Sequence, residues 1–210
     1  MKFRPCPPVT ARPSPASGRM TADHPLSPTS QCPLTGFPLD YAYKEVKTVA
    51  SFLEEPPFAG VAKGMDRSSL PKGSELNAVG VRLNNNQLTN LDGLEAFLEA
   101  VLDDPSELRW IDLSHNRLTR IDPVLLRYPK LSCVYLHGNR VERLSEVDKL
   151  GALEGLTKFT LNGNPVEESR DYRMYVSAAL KRLRSLDVIA ITPVDRSKVC
   201  LLYTSPSPRD

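Results

Sequence analysis

The sequence predicts an α/β solenoid in which short parallel strands stack side by side, and two observations carry this prediction. First, the frame L-x-x-L-x-L-x-x-N-x-L, with related apolar residues at the leucine positions, recurs four times between residues 78 and 166. Second, the frames follow at similar intervals, and their asparagines are Asn86, Asn116, Asn139 and Asn164. This frame is the leucine-rich repeat signature, which predicts a concave parallel sheet with helices and turns on the convex face.

The strand of each repeat is predicted at positions 3 to 7 of the frame, where side chains alternate between two faces. Positions 4 and 6 are apolar in every repeat, so we expect them to face the core. These residues are Val81, Leu83, Ile111, Leu113, Val134, Leu136, Phe159 and Leu161. Positions 3, 5 and 7 must then face the concave side, and Asp187 is expected on the same exposed face near its C-terminal end.

The asparagine at position 9 stands where the strand ends and the chain turns inward. Its side-chain amide can bond the backbone groups that a turn leaves unpaired. Because the turns of successive repeats stack, the sequence predicts a structural ladder of asparagines formed by Asn86, Asn116, Asn139 and Asn164.

The chain before the repeats falls into two parts. Residues 1–36 contain eight of the nineteen prolines and few aliphatic residues, which predicts a disordered tail. Residues 37–75 are predicted to form an N-terminal cap and loop, because a solenoid must cover the apolar end of its first repeat. The cap helix is expected at 44–54, with one apolar face made of Val46, Val49, Ala50 and Leu53.

The repeats themselves occupy residues 76–105, 106–130, 131–155 and 156–168. The first has a convex helix, in which Asp92 is the expected cap and Leu94, Phe97, Leu98, Val101 and Leu102 form the apolar stripe. The second has room for one helical turn at 122–126, and the third has Ser145 as its expected cap.

The chain after the repeats is predicted to close the solenoid. Residues 169–197 form the expected C-terminal cap, in which a helix leads into an incomplete strand without a position-9 asparagine. The apolar stripe of this helix is Tyr172, Val176, Ala179, Leu180 and Leu183. Residues 198–210 form a non-native-looking tail, because LLYTSPSPRD resembles translated library-adapter sequence.

Composition narrows the classes of function. The net charge of +2 gives no indication of a nucleic-acid or membrane partner. No apolar run reaches the roughly 18 residues that a membrane helix needs, and the proline-rich N-terminus is a poor secretory signal. None of the four cysteines is in C-x-x-C spacing, which favours reduced thiols in the cytosol or nucleus over a disulfide framework.

The concave side chains are the candidate partner-binding residues, because solenoids bind along this face. We call them the strand face, and they are Arg82, Trp110, Asp112, Tyr135, His137 and Lys158. Trp110 is the only tryptophan, and its frame position predicts exposure, as expected of an interface hot spot. The alternative is that Trp110 packs flat on Tyr135 and Cys133 as a cross-strand cluster.

The sequence gives little support for a catalytic, metal or cofactor site. Ser114 and His137 share position 7 on adjacent strands, about 5 Å apart. Asp112 lies beside Ser114 rather than behind His137, so nothing orients the imidazole, and an open sheet offers no oxyanion hole. Cys133 and His137 are too far apart along one strand to share a metal with His115. No phosphate-binding glycine motif occurs, so no cofactor is expected.

Several longer segments carry a resemblance to a known family. They read PLDYAYKEV, RLNNNQLTNLDGL, WIDLSHNRLTRIDPVL, VYLHGNRVERLSEVDKL and TLNGNPVEESRDYRMYV. Together they resemble the leucine-rich repeat-containing protein 51 family from Pro38 to Arg196. The cap motif also resembles a wider class that contains the phosphatase-1 regulatory repeat protein, the axonemal dynein repeat light chain and the spliceosomal A-prime protein. The resemblance implies an intracellular, non-catalytic protein.

The function expected from these features is a non-enzymatic module that binds one protein partner on its strand face. The alternative is a regulatory or scaffold subunit of a larger complex, of the phosphatase-regulatory or ciliary type. In either case we expect a monomer apart from its partner, with no nucleic acid and no membrane bound.

Overall fold

The computed structural model describes residues 38–65 and 79–196. The predicted tails at 1–36 and 198–210 lie outside these residues, as does most of the predicted loop before the first repeat. Within the described residues, no helix is both long enough and apolar enough to cross a membrane.

The core of the fold is one seven-stranded sheet whose strands follow chain order. Neighbouring strands are parallel except for the last pair, which is antiparallel. The strands are β1 (Leu39–Asp40), β2 (Gly80–Arg82), β3 (Trp110–Asp112), β4 (Cys133–Tyr135), β5 (Lys158–Thr160), β6 (Ser185–Leu186) and β7 (Ile189–Ala190).

The repeat strands cover positions 3 to 5 and are shorter than the predicted 3 to 7. The chain bends away at position 8, which adopts a left-handed conformation in every repeat. The residues at this position are Asn85, His115, Gly138 and Gly163. Asparagine and glycine tolerate this conformation well, and histidine adopts it more often than most other residues do.

The inward positions behave as the frame predicts, since all eight side chains at positions 4 and 6 are at most 1% exposed. This finding confirms the alternation of faces along each strand. It also confirms the fold class, because the short parallel sheet lies on one side and helices and turns lie on the other.

The convex elements are mostly short. The α-helices are α1 (Leu94–Val101) and α2 (Tyr172–Ala179). The 3-10 helices are Val49–Glu54, Pro105–Glu107, Pro123–Arg127, Leu144–Ala152 and Pro165–Glu168. Two predicted caps are wrong: α1 is preceded by Gly93 at φ 82 rather than by the Asp92 side chain, and the helix expected to start at Ser145 starts at Leu144 without a side-chain cap.

The N-terminal cap differs from its prediction in two ways. Its helix spans Val49–Glu54 only and is a 3-10 helix, so Val49 and Phe52 are buried while Ala50 and Leu53 are exposed. In addition, β1 extends the sheet before the first repeat. The Asp40 amide donates to the Ala59 carbonyl at 2.9 Å, so the following loop covers the outer edge of β1.

Candidate functional site

Five of the six strand-face side chains are partly exposed, and they lie on four neighbouring strands. Arg82, Asp112 and Tyr135 occupy position 5 of β2, β3 and β4 and are paired in register. His137 follows β4 at position 7, and Lys158 begins β5 at position 3. The sheet therefore brings these residues together as the frame predicts.

Trp110 is the exception, because its side chain is only 5% exposed. The prediction that its frame position exposes it is wrong. Trp110 is paired in register with Gly80, and its ring lies over that glycine so closely that a Cβ there would stand 2.0 Å from Cε2. The missing side chain on β2 thus provides the space in which the indole is buried.

The indole also contacts its other neighbours on the strand face. The Tyr135 ring meets it edge-on, with centroids 6.5 Å apart, and the Arg82 guanidinium carbon lies 5.8 Å from its centroid. This is the alternative cross-strand cluster, although the contact with Tyr135 is edge-to-face rather than flat. The indole Nε1 is buried without a hydrogen-bond partner.

The charged side chains at position 5 form an ion pair or hydrogen bonds with neighbouring residues. Arg82 forms an ion pair with Asp40 of β1 at 3.4 Å. Asp112 accepts two hydrogen bonds from Ser114, one from the hydroxyl at 2.6 Å and one from the amide at 3.0 Å. Asp40, Arg82, Asp112 and Tyr135 therefore form a row of alternating charge that ends in a phenol, and burial raises the pKa of that phenol.

The Ser114–His137 contact considered from the sequence does not form. Ser114 is 2% exposed and bonds to Asp112, while the His137 Nδ1 lies 2.9 Å from the Thr160 hydroxyl. Cys133 is buried, at 1% exposed, and its Sγ lies 3.8 Å from the Ser132 hydroxyl oxygen. Within the described residues, no group of three or more potential ligands could hold a metal ion.

The asparagine ladder links each repeat to the one before it. Asn139 shows the pattern: its Oδ1 accepts from the Leu118 amide at 3.0 Å, and its Nδ2 donates to the carbonyls of Leu113 and Leu136. Asn116 and Asn164 bond in the same way, and Asn86 bonds instead to the N-terminal cap at Tyr41, Lys44 and Val46. All four side chains are at most 6% exposed.

The chain with these repeats is similar to known proteins. A family model described as "Leucine-rich repeat" matches residues 75–207. The rat leucine-rich repeat-containing protein 51 is 41% identical over 160 residues, which cover 76% of this chain and 81% of the relative.

The chain belongs to the leucine-rich repeat-containing protein 51 family.

This family member is also similar to other proteins. The Arabidopsis thaliana U2 small nuclear ribonucleoprotein A' is 37% identical over 94 residues, covering 44% of this chain and 38% of the relative. A crystal structure of the Drosophila melanogaster SNF/U2A' complex contains a similar chain, with a TM-score of 0.54 and 23% identity. That match covers 80% of this chain and 79% of the other, and it shows the fold alone.

Asp187 is a structural residue of this family member that the sequence placed on the exposed concave face. In the preceding repeats, the position-6 amide donates to the position-5 carbonyl of the next strand, as Leu136 does to Thr160. At the last repeat the Asp187 side chain accepts from the Leu161 amide at 2.7 Å and from the Tyr172 hydroxyl at 2.8 Å. The sequence signal that could have identified this structural role is an acidic residue directly after β6.

His137 predicts a pH dependence of stability. Burial lowers its pKa below the ordinary 6.5, His115 lowers it further, and Asp112 and Asp187 partly oppose the shift. The unfolded chain therefore binds a proton first as the pH falls, so the free energy of unfolding decreases below about pH 6.5. We expect the wild type to lose more stability between about pH 7.5 and 5.5 than His137→Gln, measured by urea unfolding. Equal losses of unfolding free energy in both proteins would contradict the assignment of this pH dependence to His137.

Proposed function

We propose that this chain is a non-enzymatic protein–protein interaction module that holds one partner on its strand face. The supporting observation is the row of partly exposed side chains on adjacent strands, in which Arg82, Asp112 and Tyr135 are paired in register. The family supports the coarser statement, because its matching family model is a repeat family rather than a catalytic one.

The row formed by Arg82, Asp112 and Tyr135 fits a partner surface that carries both polar and apolar groups. Arg82 and Tyr135 belong to the residue types that dominate interface energetics, and both pack against the buried Trp110. In this proposal the buried indole supports the contact residues that pack against it and does not itself contact the partner. His137 and Lys158 flank the row and extend the surface toward the C-terminal repeats.

The test is a co-precipitation from cell lysate with Arg82→Ala combined with Tyr135→Ala. Truncating two central interface residues is expected to weaken binding by about tenfold or more, so at least one partner of the wild type should be lost. Arg127→Ala is the control, because Arg127 pairs with Glu95 away from the strand face. If the double variant stays folded and keeps every partner, the strand face is not the binding surface.

A second candidate is a regulatory or scaffold subunit of a larger complex. It is favoured by the partial match to a protein named as a ribonucleoprotein component. Under this proposal the protein migrates with a large assembly when a native lysate is fractionated by size. Migration as a free species near its mass of 23.3 kDa would contradict it.

The remaining expectations are part of the same proposal. We propose a cytoplasmic protein that is monomeric apart from its partner, and a partner that is a protein rather than a nucleic acid or a membrane. The support is the resemblance of its repeats to an intracellular family. Cell fractionation and light scattering of the purified chain test location and oligomeric state.

A further inference from the structure

Four arginines stand at equivalent positions of the second and third repeats. Arg117 and Arg140 directly follow the ladder asparagines, and Arg120 and Arg143 lie three residues later. We call them the arginine quartet. Each pair is offset by the same number of residues as Trp110 and Cys133, which are paired in register between β3 and β4.

The two turns that carry the quartet are in direct contact. The Arg140 amide donates to the Leu118 carbonyl at 2.9 Å, and the Leu118 amide donates to the Asn139 side chain. Leu118 and Val141 directly follow Arg117 and Arg140 and are buried, while all four arginines are exposed. Arg117 and Arg140 are therefore neighbours on the exposed outside of the stacked turns, and Arg120 and Arg143 form the equivalent pair three residues later.

The positive charge of the quartet is poorly compensated. Among the described residues, none of the four makes an ion pair or a side-chain hydrogen bond, whereas Arg82, Arg127 and Arg173 all do. Glu146 lies near Arg120, but it already accepts from Lys149 and from the Ile121 amide. The one acidic side chain within the two turns is Glu142, which is exposed.

We propose that the arginine quartet is a second interaction surface, which binds an acidic segment of a protein. Guanidinium groups bind carboxylates with paired, charge-assisted hydrogen bonds, and the backbones of the stacked turns that carry the arginines lie about 5 Å apart. This proposal does not rest on the strand face, because the two surfaces have no residue in common.

A protein segment fits this surface better than a nucleic acid. The two turns, R-L-T-R and R-V-E-R, contain no aromatic side chain on which a base could stack. Glu142 lies within the surface, and the next turn carries Glu167 and Glu168, both exposed. A continuous phosphate backbone would be repelled there, whereas a protein segment can place neutral or basic residues opposite these carboxylates.

The experiment measures binding of fluorescent octaglutamate to the full chain by anisotropy, with octauridylate as the second probe. Arg117→Glu with Arg140→Glu is expected to weaken octaglutamate binding by about tenfold or more, because two charge-assisted contacts become repulsive. Arg120→Glu with Arg143→Glu should act in the same direction. Added salt should weaken the wild-type complex, because the contacts are exposed.

Lys181→Glu with Arg182→Glu is the matched control, since it changes the net charge equally on exposed residues at the end of α2. Thermal unfolding of every variant verifies the fold. Equal weakening by the control and the quartet variants overturns the proposal, because net charge alone would then explain binding. Tighter, quartet-dependent binding of octauridylate also overturns it.

Discussion

Replacing Asn139 with alanine is expected to lower the free energy of unfolding by about 2 kcal/mol, since one buried backbone amide loses its acceptor and two buried carbonyls lose one of their donors. The variant leaves the Leu118 amide without its acceptor, and the carbonyls of Leu113 and Leu136 each lose one of their amide donors while keeping that of Asn116 or Asn164. The side chain is 5% exposed, so water cannot readily replace these bonds. Because Asn139 joins the second and third repeats, its loss weakens the interface between them.

Urea unfolding followed by circular dichroism measures this effect. Asn162→Ala is the control, because Asn162 is the same residue type in a neighbouring repeat but is exposed, and its side chain makes none of the described hydrogen bonds. A similar midpoint for both variants would show that the ladder does not stabilise the fold.

Replacing Gly80 with alanine is expected to destabilise the chain by about 2 kcal/mol, because a methyl group would overlap the Trp110 ring. The added Cβ would stand 2.0 Å from Cε2 and 2.1 Å from Nε1 of the indole, so the ring must leave its position. Trp110 is the only tryptophan, and its fluorescence therefore reports this movement without interference. We expect emission at longer wavelength as the indole becomes exposed.

Gly151→Ala is the matched control, since a Cβ there meets the Ala179 carbonyl at an ordinary 3.6 Å. A double-mutant cycle with Trp110→Ala isolates the steric contact, because alanine at position 80 should cost much less once the ring is absent. An unchanged emission spectrum in Gly80→Ala would show that the indole does not lie over Gly80. Exposing the ring should also disturb Arg82 and Tyr135, which rest against it.

The caps show where local sequence signals fail. Asp92 and Ser145 have the residue types that commonly precede helices, yet neither caps one. Both lie in convex segments whose path is set by apolar side chains packing onto the sheet, such as Leu94 in one and Val147 in the other. Packing free energy exceeds the roughly 1 kcal/mol of a cap, so packing decides where these helices begin.

Asp187 and Trp110 could not be assigned correctly from the frame, for a shared reason. The repeat frame predicts which face of its own strand a side chain occupies. It does not predict which residue lies beside that side chain on the next strand. Trp110 is buried because its partner in register is Gly80, and Asp187 is engaged because no repeat follows β5. Both neighbours are distant in sequence and become neighbours only in the folded sheet.

The sequence by itself determined the repeat architecture and the inward side chains. These features depend on periodic residues that satisfy local rules of alternation and backbone conformation. The tertiary structure alone decided which concave side chains stay accessible, because accessibility depends on the sizes of the residues on adjacent strands. The small Gly80 buries the large Trp110 and leaves Arg82 and Tyr135 as the surface above it.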